Sequence, residues 1–125
     1  MSNKRELGER GEKIASCFLE RRGLKIVERN FAVRQGEIDL IARDKEEWVF
    51  VEVKWRSSRR FGLPEDSITA SKKRKIIQAV QAYLQTNKLE GQDYRIDVVV
   101  IEEVESGKPV VRYYPYALSV EDGES

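Results

Sequence analysis

The most constraining feature of this sequence is a pair of adjacent segments in which apolar and polar side chains alternate. The segments are Glu37–Arg43 and Trp48–Trp55, and the four residues from Asp44 to Glu47 join them. Alternation with a period of two is typical of β-strands whose two faces have different surroundings. Because the connection is so short, the two strands are predicted to form an antiparallel hairpin.

The alternation also predicts which side chains share a face of the hairpin. In the first strand Glu37, Asp39 and Ile41 share one face, and Ile38 and Leu40 take the other. In the second strand the valines share one face, and the other carries Phe50, Glu52 and Lys54. A turn centred between Lys45 and Glu46 places Asp39 opposite Glu52, and Glu37 opposite Lys54. An offset of one residue would set carboxylates against valines, so the patterning opposes it.

Two opposed carboxylates on one sheet face carry an energetic cost. Like charges directly across a strand pair are destabilising, and partial burial beside Ile41 and Phe50 would increase the cost. A bound cation or the ammonium of Lys54 would relieve the repulsion. Paired carboxylates also occur as salt-bridge partners on ordinary exposed sheets, so the pattern alone leaves a structural role open.

The remaining segments predict a single α+β domain of 125 residues. Apolar residues at helical spacing predict a first helix from about Arg5 to Arg22, and Thr69 or Ser71 is expected to cap a second helix that reaches about Asn87. Further strands are predicted over 24–33, 94–102 and 108–114, with an interruption of the first near Arg29-Asn30 and a loop over 57–67. The element order is αβββαββ, with a core over about 5–116 and an acidic tail over 117–125.

The composition removes several kinds of chemistry. The chain has no histidine, which excludes a Ser-His-Asp triad and a His-ligated zinc site. Carboxylates, Lys, Arg and hydroxyls remain, and they suit hard, oxygen-liganded cations such as Mg²⁺. The single Cys17 lies within the first helix and is expected to be a small buried residue. One cysteine, a charged start and no long apolar run predict a cytoplasmic protein without a membrane span.

Basic residues are concentrated in one part of the chain. Between Lys54 and Lys75 there are eight basic residues and two acidic ones, in a chain whose net charge is +1. A local basic segment is typical of a surface that binds a polyanion, although a solvated charged face explains the charge alone equally well. On the first helix, Glu12 lies at the edge of the apolar stripe. It either reaches toward the hairpin or extends into water on its flexible stem.

Asp39, a step of thirteen residues to Glu52, and then Val53-Lys54 resembles the PD-(D/E)xK nuclease signature. The surrounding motifs are more specific. They are Gly11-Glu12-x-x-Ala15, Arg29-Asn30, Gly36-Glu37-Ile38-Asp39-Leu40-Ile41-Ala42, Val49-Phe50-Val51-Glu52-Val53-Lys54 and Arg95-Ile96-Asp97-Val98-Val99. Together, from about Gly8 to Tyr114, they resemble the YraN-like family of bacterial proteins, which is similar to archaeal Holliday junction resolvases.

The resemblance implies a restriction-endonuclease-like αβββαβ core, with a mixed central sheet flanked by helices, and a metal-dependent endonuclease of DNA. Asp39 and Glu52 would bind Mg²⁺ or Mn²⁺ with the main-chain carbonyl of Val53. Lys54 would orient or deprotonate the attacking water, and Glu12 would assist metal binding. Ile38 stands where the signature has proline, and Glu37 is an additional carboxylate.

The resemblance also gives the basic residues a position near the site. Arg56, Arg59, Arg60, Lys72 and Lys73 would contact nucleic-acid phosphates. The implied substrate is DNA, with branched or Holliday-type structures in repair or recombination as the expected targets, cut by a possible homodimer. The alternatives are a nucleic-acid-binding module that cuts little and, more remotely, an RNA-directed nuclease. Arg95 and Asp97 share a strand face, and an internal ion pair is the simpler account of them.

Overall fold

The computed structural model describes residues 4–56, 68–103 and 107–119, with the side chains of residues 4–7 left undescribed. Its elements are α1 (Lys4–Arg21), β1 (Lys25–Val33), β2 (Gly36–Asp44), β3 (Glu47–Arg56), α2 (Ala70–Thr86), β4 (Tyr94–Glu102) and β5 (Val110–Leu118). The order αβββαββ and the α+β class are those predicted. Over the described ranges, no helix combines the length and the apolar character that a membrane crossing requires.

The five strands form one mixed sheet in the order β1-β2-β3-β4-β5. The β3–β4 pair is parallel, and the other three neighbouring pairs are antiparallel. A parallel pair needs a long crossover, and the connection that contains α2 supplies it. This mixed sheet with helices packed on it is of the restriction-endonuclease-like type, so the predicted fold is confirmed.

Each face of the sheet is covered by one helix. The core on the α2 side includes Ile41, Phe50, Ile76, Val80, Tyr83 and Val98. The core on the α1 side includes Ala15, Leu19, Leu40, Val49, Val51 and Val99. The run Val98-Val99-Val100-Ile101 is fully buried, because β4 is interior and both its faces meet a core. Four consecutive β-branched residues predict a strand that is buried on both faces, and the structure confirms this prediction.

The start of α2 is fixed by Thr69, one of the two residues expected to cap it. Thr69 has extended backbone angles, and its hydroxyl accepts a hydrogen bond of 3.1 Å from the backbone N–H of Lys72. A cap of this kind satisfies a donor that the first helical turn leaves unpaired. The cap therefore fixes the backbone of the turn that carries Lys72 and Lys73.

Two predictions about the rest of the fold are wrong. Cys17 is exposed rather than buried, because it lines a cavity between α1 and Val111 of β5 that is open to solvent. The acidic tail does not begin at residue 117, since β5 continues to Leu118, which pairs with Ile96 and is 8% exposed. Pro115 lies within this strand, and β5 has a neighbour on one side only, which is where a strand tolerates proline.

Candidate metal centre

The hairpin has the register that the patterning predicted. Its ladder runs from Asp44 opposite Glu47 to Leu40 opposite Val51, so the same register places Asp39 opposite Glu52. Beyond Leu40 the Asp39 side chain takes part in the strand pairing. Its Oδ2 accepts a hydrogen bond of 2.8 Å from the backbone N–H of Val53. The Asp39 carboxylate is therefore held between β2 and β3.

The predicted alternation fails at this point in β2. Ile38 and Leu40 were expected on one face, but Ile38 packs in the α2-side core together with Ile41, and Leu40 packs in the α1-side core. Two residues three positions apart cannot share a face of a regular strand, so β2 is irregular at Asp39. The neighbouring strand has Asn30 at this level, with a φ of 54°, as the predicted interruption of β1 implied.

Glu52 is the most deeply buried carboxylate of the centre, at 4% exposure. Burial and the charge of Asp39 raise the pKa of Glu52 to about 8. Burial also raises the pKa of Asp39, against the hydrogen bond from Val53, and the two carboxyl groups are hydrogen-bonded to each other. The pair therefore shares one proton near neutral pH, since two adjacent buried carboxylates resist double ionisation.

The ammonium that approaches this pair belongs to Lys72. Its Nζ lies 3.1 Å from Glu52 Oε1, and the Lys72 side chain is 48% exposed. Burial lowers the pKa of Lys72, but the charge and hydrogen bond of Glu52 outweigh it and raise the pKa overall. The sequence had assigned Lys72 to phosphate contacts and had given the neutralising role to Lys54. Lys54 lies on β3 two residues beyond Glu52 and is partly buried.

Glu37 and Lys54, which the register would place opposite each other, lie beyond the end of the regular β2–β3 ladder. The Glu37 side chain is exposed near the start of α2, and its charge contributes to raising the pKa values of Asp39 and Glu52. Glu37 therefore adds negative charge to the centre. Its expected contact with Lys54 stays a prediction.

Glu12 reaches the centre from α1. Its side chain hydrogen-bonds to Asn30, and burial together with the charges of Asp39 and Glu37 raises its pKa. The helix comes close to β3 at Gly11, where an added Cβ would lie 3.4 Å from the Trp55 ring. Of the two placements left open for Glu12, the structure shows the one toward the hairpin.

The donor set fits a hard divalent cation, with Asp39 and Glu52 as its side-chain ligands. The two carboxyl groups are close enough to share a hydrogen bond, and the ammonium of the half-exposed Lys72 lies 3.1 Å from Glu52 Oε1. Across the residues that the structure describes, there is no group of three Asp, Glu, Cys or His side chains that could hold a metal. A metal here would need main-chain or water ligands as well, and the Val53 carbonyl remains the predicted one.

The other predicted nucleic-acid contacts have different placements. Arg56 is 8% exposed at the end of β3, opposite Glu102 of β4, so it does not belong to an exposed basic surface. Lys73 is partly exposed on α2. Arg59 and Arg60 lie outside the described residues.

A cavity of about 310 Å³, which the sequence did not predict, lies between the β1–β2 turn and the start of α2. Glu37, Ser71, Lys72 and Lys75 contribute to its lining. One signal in the sequence pointed to Lys72. The first turn of α2 carries Lys72 and Lys73 and has no acidic residue. Because a helix N-terminus disfavours positive charge, lysines there suggest a specific carboxylate partner.

Arg95 and Asp97 form the internal ion pair that their shared face suggested. Arg95 Nε lies 3.1 Å from Asp97 Oδ2, and the guanidinium also binds Glu47 and Asp44. The hydroxyl of Tyr113 donates to the same Asp97 oxygen. Asp44 and Glu47 lie at the turn end of the β2–β3 hairpin, while Asp97 pairs with Val51, whose side chain packs on the face of the sheet opposite to that of Glu52. They stabilise the sheet and do not belong to the candidate centre.

Comparison with known proteins agrees with this picture at the level of family. A model described as "Uncharacterised protein family UPF0102" matches residues 11–101. A "UPF0102 protein" of Carboxydothermus hydrogenoformans is 40% identical over 101 residues, which cover 81% of this chain and 86% of that protein. A "UPF0102 protein" of Nitrosococcus oceani is 42% identical over 118 residues, which cover 94% of both chains. The matched range contains Glu12, Asp39, Glu52 and Lys72.

Proposed function

The chain belongs to the UPF0102 family, the YraN-like family that its motifs indicated, and from its geometry we propose that it is a metal-dependent endonuclease acting on DNA phosphodiesters. One observation carries the proposal. Asp39 and Glu52 converge from adjacent strands with a hydrogen bond between their carboxyl groups, and the charge of Asp39 adds to burial in raising the pKa of Glu52. Such a pair costs stability in a sheet without a nearby positive charge, and a bound cation would compensate its charge.

In the proposed site each described residue has a definite task. Asp39 is oriented by the N–H of Val53, so one of its oxygens is fixed and the other is available as a ligand. Glu52 supplies the second ligand from within the sheet. Lys54 follows on the same strand and holds the attacking water, while Glu12 approaches from α1. A cation bound there neutralises charge on the phosphate and lowers the pKa of bound water.

The proposed substrate is DNA, with branched or Holliday-type structures in repair or recombination as the first candidates. The basic residues around α2 would contact backbone phosphates, which are the same in every sequence. Such contacts favour recognition by shape over recognition by base sequence. A homodimer would present two such centres to two strands of a branched substrate.

The second candidate is a nucleic-acid-binding module with a retained nuclease fold. The Lys72–Glu52 ion pair at 3.1 Å favours it, because a permanent ion pair would satisfy Glu52 without any metal. The two candidates differ in whether a divalent cation enters the centre. They also differ in whether DNA is cut.

The test incubates the purified protein with four-way junction, flap, single-stranded and linear DNA in Mg²⁺ or Mn²⁺. The proposal expects cleavage of at least one substrate, and its loss in Asp39→Asn and in Glu52→Gln. Glu46→Gln is the matched control, since this exposed carboxylate lies in the β2–β3 turn. Cleavage that survives both site substitutions would refute the assignment. Binding without cleavage under every metal condition would favour the module.

A further inference from the structure

The Lys72 side chain belongs to two features at once. Its ammonium lies 3.1 Å from Glu52 Oε1, and the same side chain lines the cavity between the β1–β2 turn and the start of α2. The first feature is the proposed cation centre, and the second is a neighbouring opening to solvent. Lys72 therefore stands between the proposed site and the cavity.

The backbone of Lys72 is held in place from two directions. The Thr69 hydroxyl accepts its N–H at 3.1 Å, and the Thr69 carbonyl accepts the N–H of Lys73 at 2.9 Å. One turn further on, Gly36 packs against α2 so closely that an added Cβ would lie 2.5 Å from the Lys75 carbonyl oxygen. With the helix fixed in this way, only the flexible side chain of Lys72 is free to change position.

A divalent cation and the Lys72 ammonium compete for the same carboxylate. A cation bound by Asp39 and Glu52 would bring two positive charges close to Nζ, and like charges at such a distance repel strongly in a partly buried site. The Lys72 side chain is 48% exposed, so it can move without leaving a core. The cavity that it already lines offers the ammonium a position away from Asp39 and Glu52.

The cavity has the chemistry of a phosphate subsite. Lys75 supplies an ammonium group, and Thr69 and Ser71 supply hydroxyl groups, while Glu37 is the one acidic residue among the described residues of the lining. Arrival of the Lys72 ammonium would give two positive charges against one negative charge. Lysine ammonium groups bind phosphate oxygens as point charges without reading base sequence.

We propose that Lys72 occupies the cation's place in the metal-free protein and that a divalent cation displaces it into the cavity, where Lys72 and Lys75 bind a nucleic-acid phosphate beside the one to be cut. This inference rests on the proposed function, because it needs a cation at Asp39 and Glu52. It makes cation binding and nucleic-acid binding mutually reinforcing. Each ligand would raise the affinity for the other by the same factor.

The test measures binding of a fluorescent DNA junction by anisotropy, once with a chelator and once with Ca²⁺, with the DNA checked for integrity on a gel. Lys72→Gln is expected to weaken binding about fivefold in Ca²⁺ and less than about twofold in chelator, because without the cation the ammonium is engaged by Glu52. Lys75→Gln is the matched control. It should weaken binding by a similar factor in both conditions, since Lys75 is not the lysine paired with Glu52.

If Lys72→Gln weakened DNA binding equally in chelator and in Ca²⁺, or in neither, the proposed exchange of the Lys72 ammonium for a cation would be overturned. Calorimetric titration of the wild-type protein with Ca²⁺ separates this outcome from failure of the proposed function. If no cation binds, the metal centre itself is wrong; if a cation binds and the two lysine variants behave alike, only the exchange is wrong.

Crystals of the wild-type protein with and without Mn²⁺ give an independent readout. The Lys72–Glu52 contact of 3.1 Å should be absent when Mn²⁺ is bound, and its persistence would contradict the inference.

Discussion

Replacing Glu52 by glutamine should change how the stability of the protein depends on pH. In the metal-free protein the pKa of Glu52 is raised from 4.5 to about 8. Between these values the native state retains a proton that the unfolded chain has released. The free energy of unfolding must therefore fall as pH rises through this interval. The difference between 4.5 and about 8, at about 1.4 kcal/mol per pKa unit, corresponds to a total loss of about 5 kcal/mol, of which about 4 kcal/mol falls above pH 5.

The measurement is urea unfolding in a chelating buffer at several pH values from 5 to 9. The wild-type free energy of unfolding should fall across this range by about 4 kcal/mol relative to that of Glu52→Gln, because glutamine cannot ionise. Glu46→Gln, in the exposed turn, should follow the wild type. Adding Mg²⁺ should restore wild-type stability at high pH and leave Glu52→Gln unaffected. If the difference in the free energy of unfolding between the wild type and Glu52→Gln did not vary with pH, the reasoning would be refuted.

Three further predictions concern the framework of the site, and thermal or urea unfolding checks each of them. Gly36→Ala should lower the free energy of unfolding by about 2 kcal/mol, because the new Cβ would meet the Lys75 carbonyl oxygen at 2.5 Å. Gly8→Ala is the control: its Cβ would meet nothing within 4 Å, so this substitution should not lower the free energy of unfolding. Thr69→Ala should lower the free energy of unfolding by about 1 kcal/mol, because it removes the side chain that caps α2. If Ser71→Ala lowered the free energy of unfolding by the same amount, Thr69 would not be the specific cap. Arg95→Met should lower the free energy of unfolding by about 3 kcal/mol, because it leaves the fully buried Asp97 carboxylate without the guanidinium that pairs with it. If the substitution also changed the affinity for a divalent cation, the Arg95 network would belong to the candidate centre after all.

The hairpin register could be predicted because each strand has its own binary pattern. The valines of β3 and the apolar residues of β2 fit together in one register only, and that register brings Asp39 level with Glu52. The burial of both faces of β4 could also be predicted, because a run of four β-branched residues is typical of a strand that is covered on both faces.

What the sequence did not predict depends on contacts between distant segments. The hydrogen bond from the Val53 N–H to the Asp39 carboxylate does not change the pattern of apolar residues, whereas the irregular backbone at Asn30 was predicted as an interruption of β1. Lys72 is twenty residues from Glu52 in the chain. Its ammonium contacts Glu52 because α2 packs closely against Gly36 of β2. The continuation of β5 to Leu118 was not predicted from the sequence, and Pro115 is accommodated within it because β5 has a neighbour on one side only.

The most direct test of the central claim is anomalous diffraction from crystals of the protein grown with Mn²⁺. The account predicts one strong peak between the carboxylates of Asp39 and Glu52, close to the main-chain carbonyl of Val53, and no such peak in Glu52→Gln crystals. A Mn²⁺ peak elsewhere on the chain, with Asp39 and Glu52 still hydrogen-bonded to each other, would contradict it.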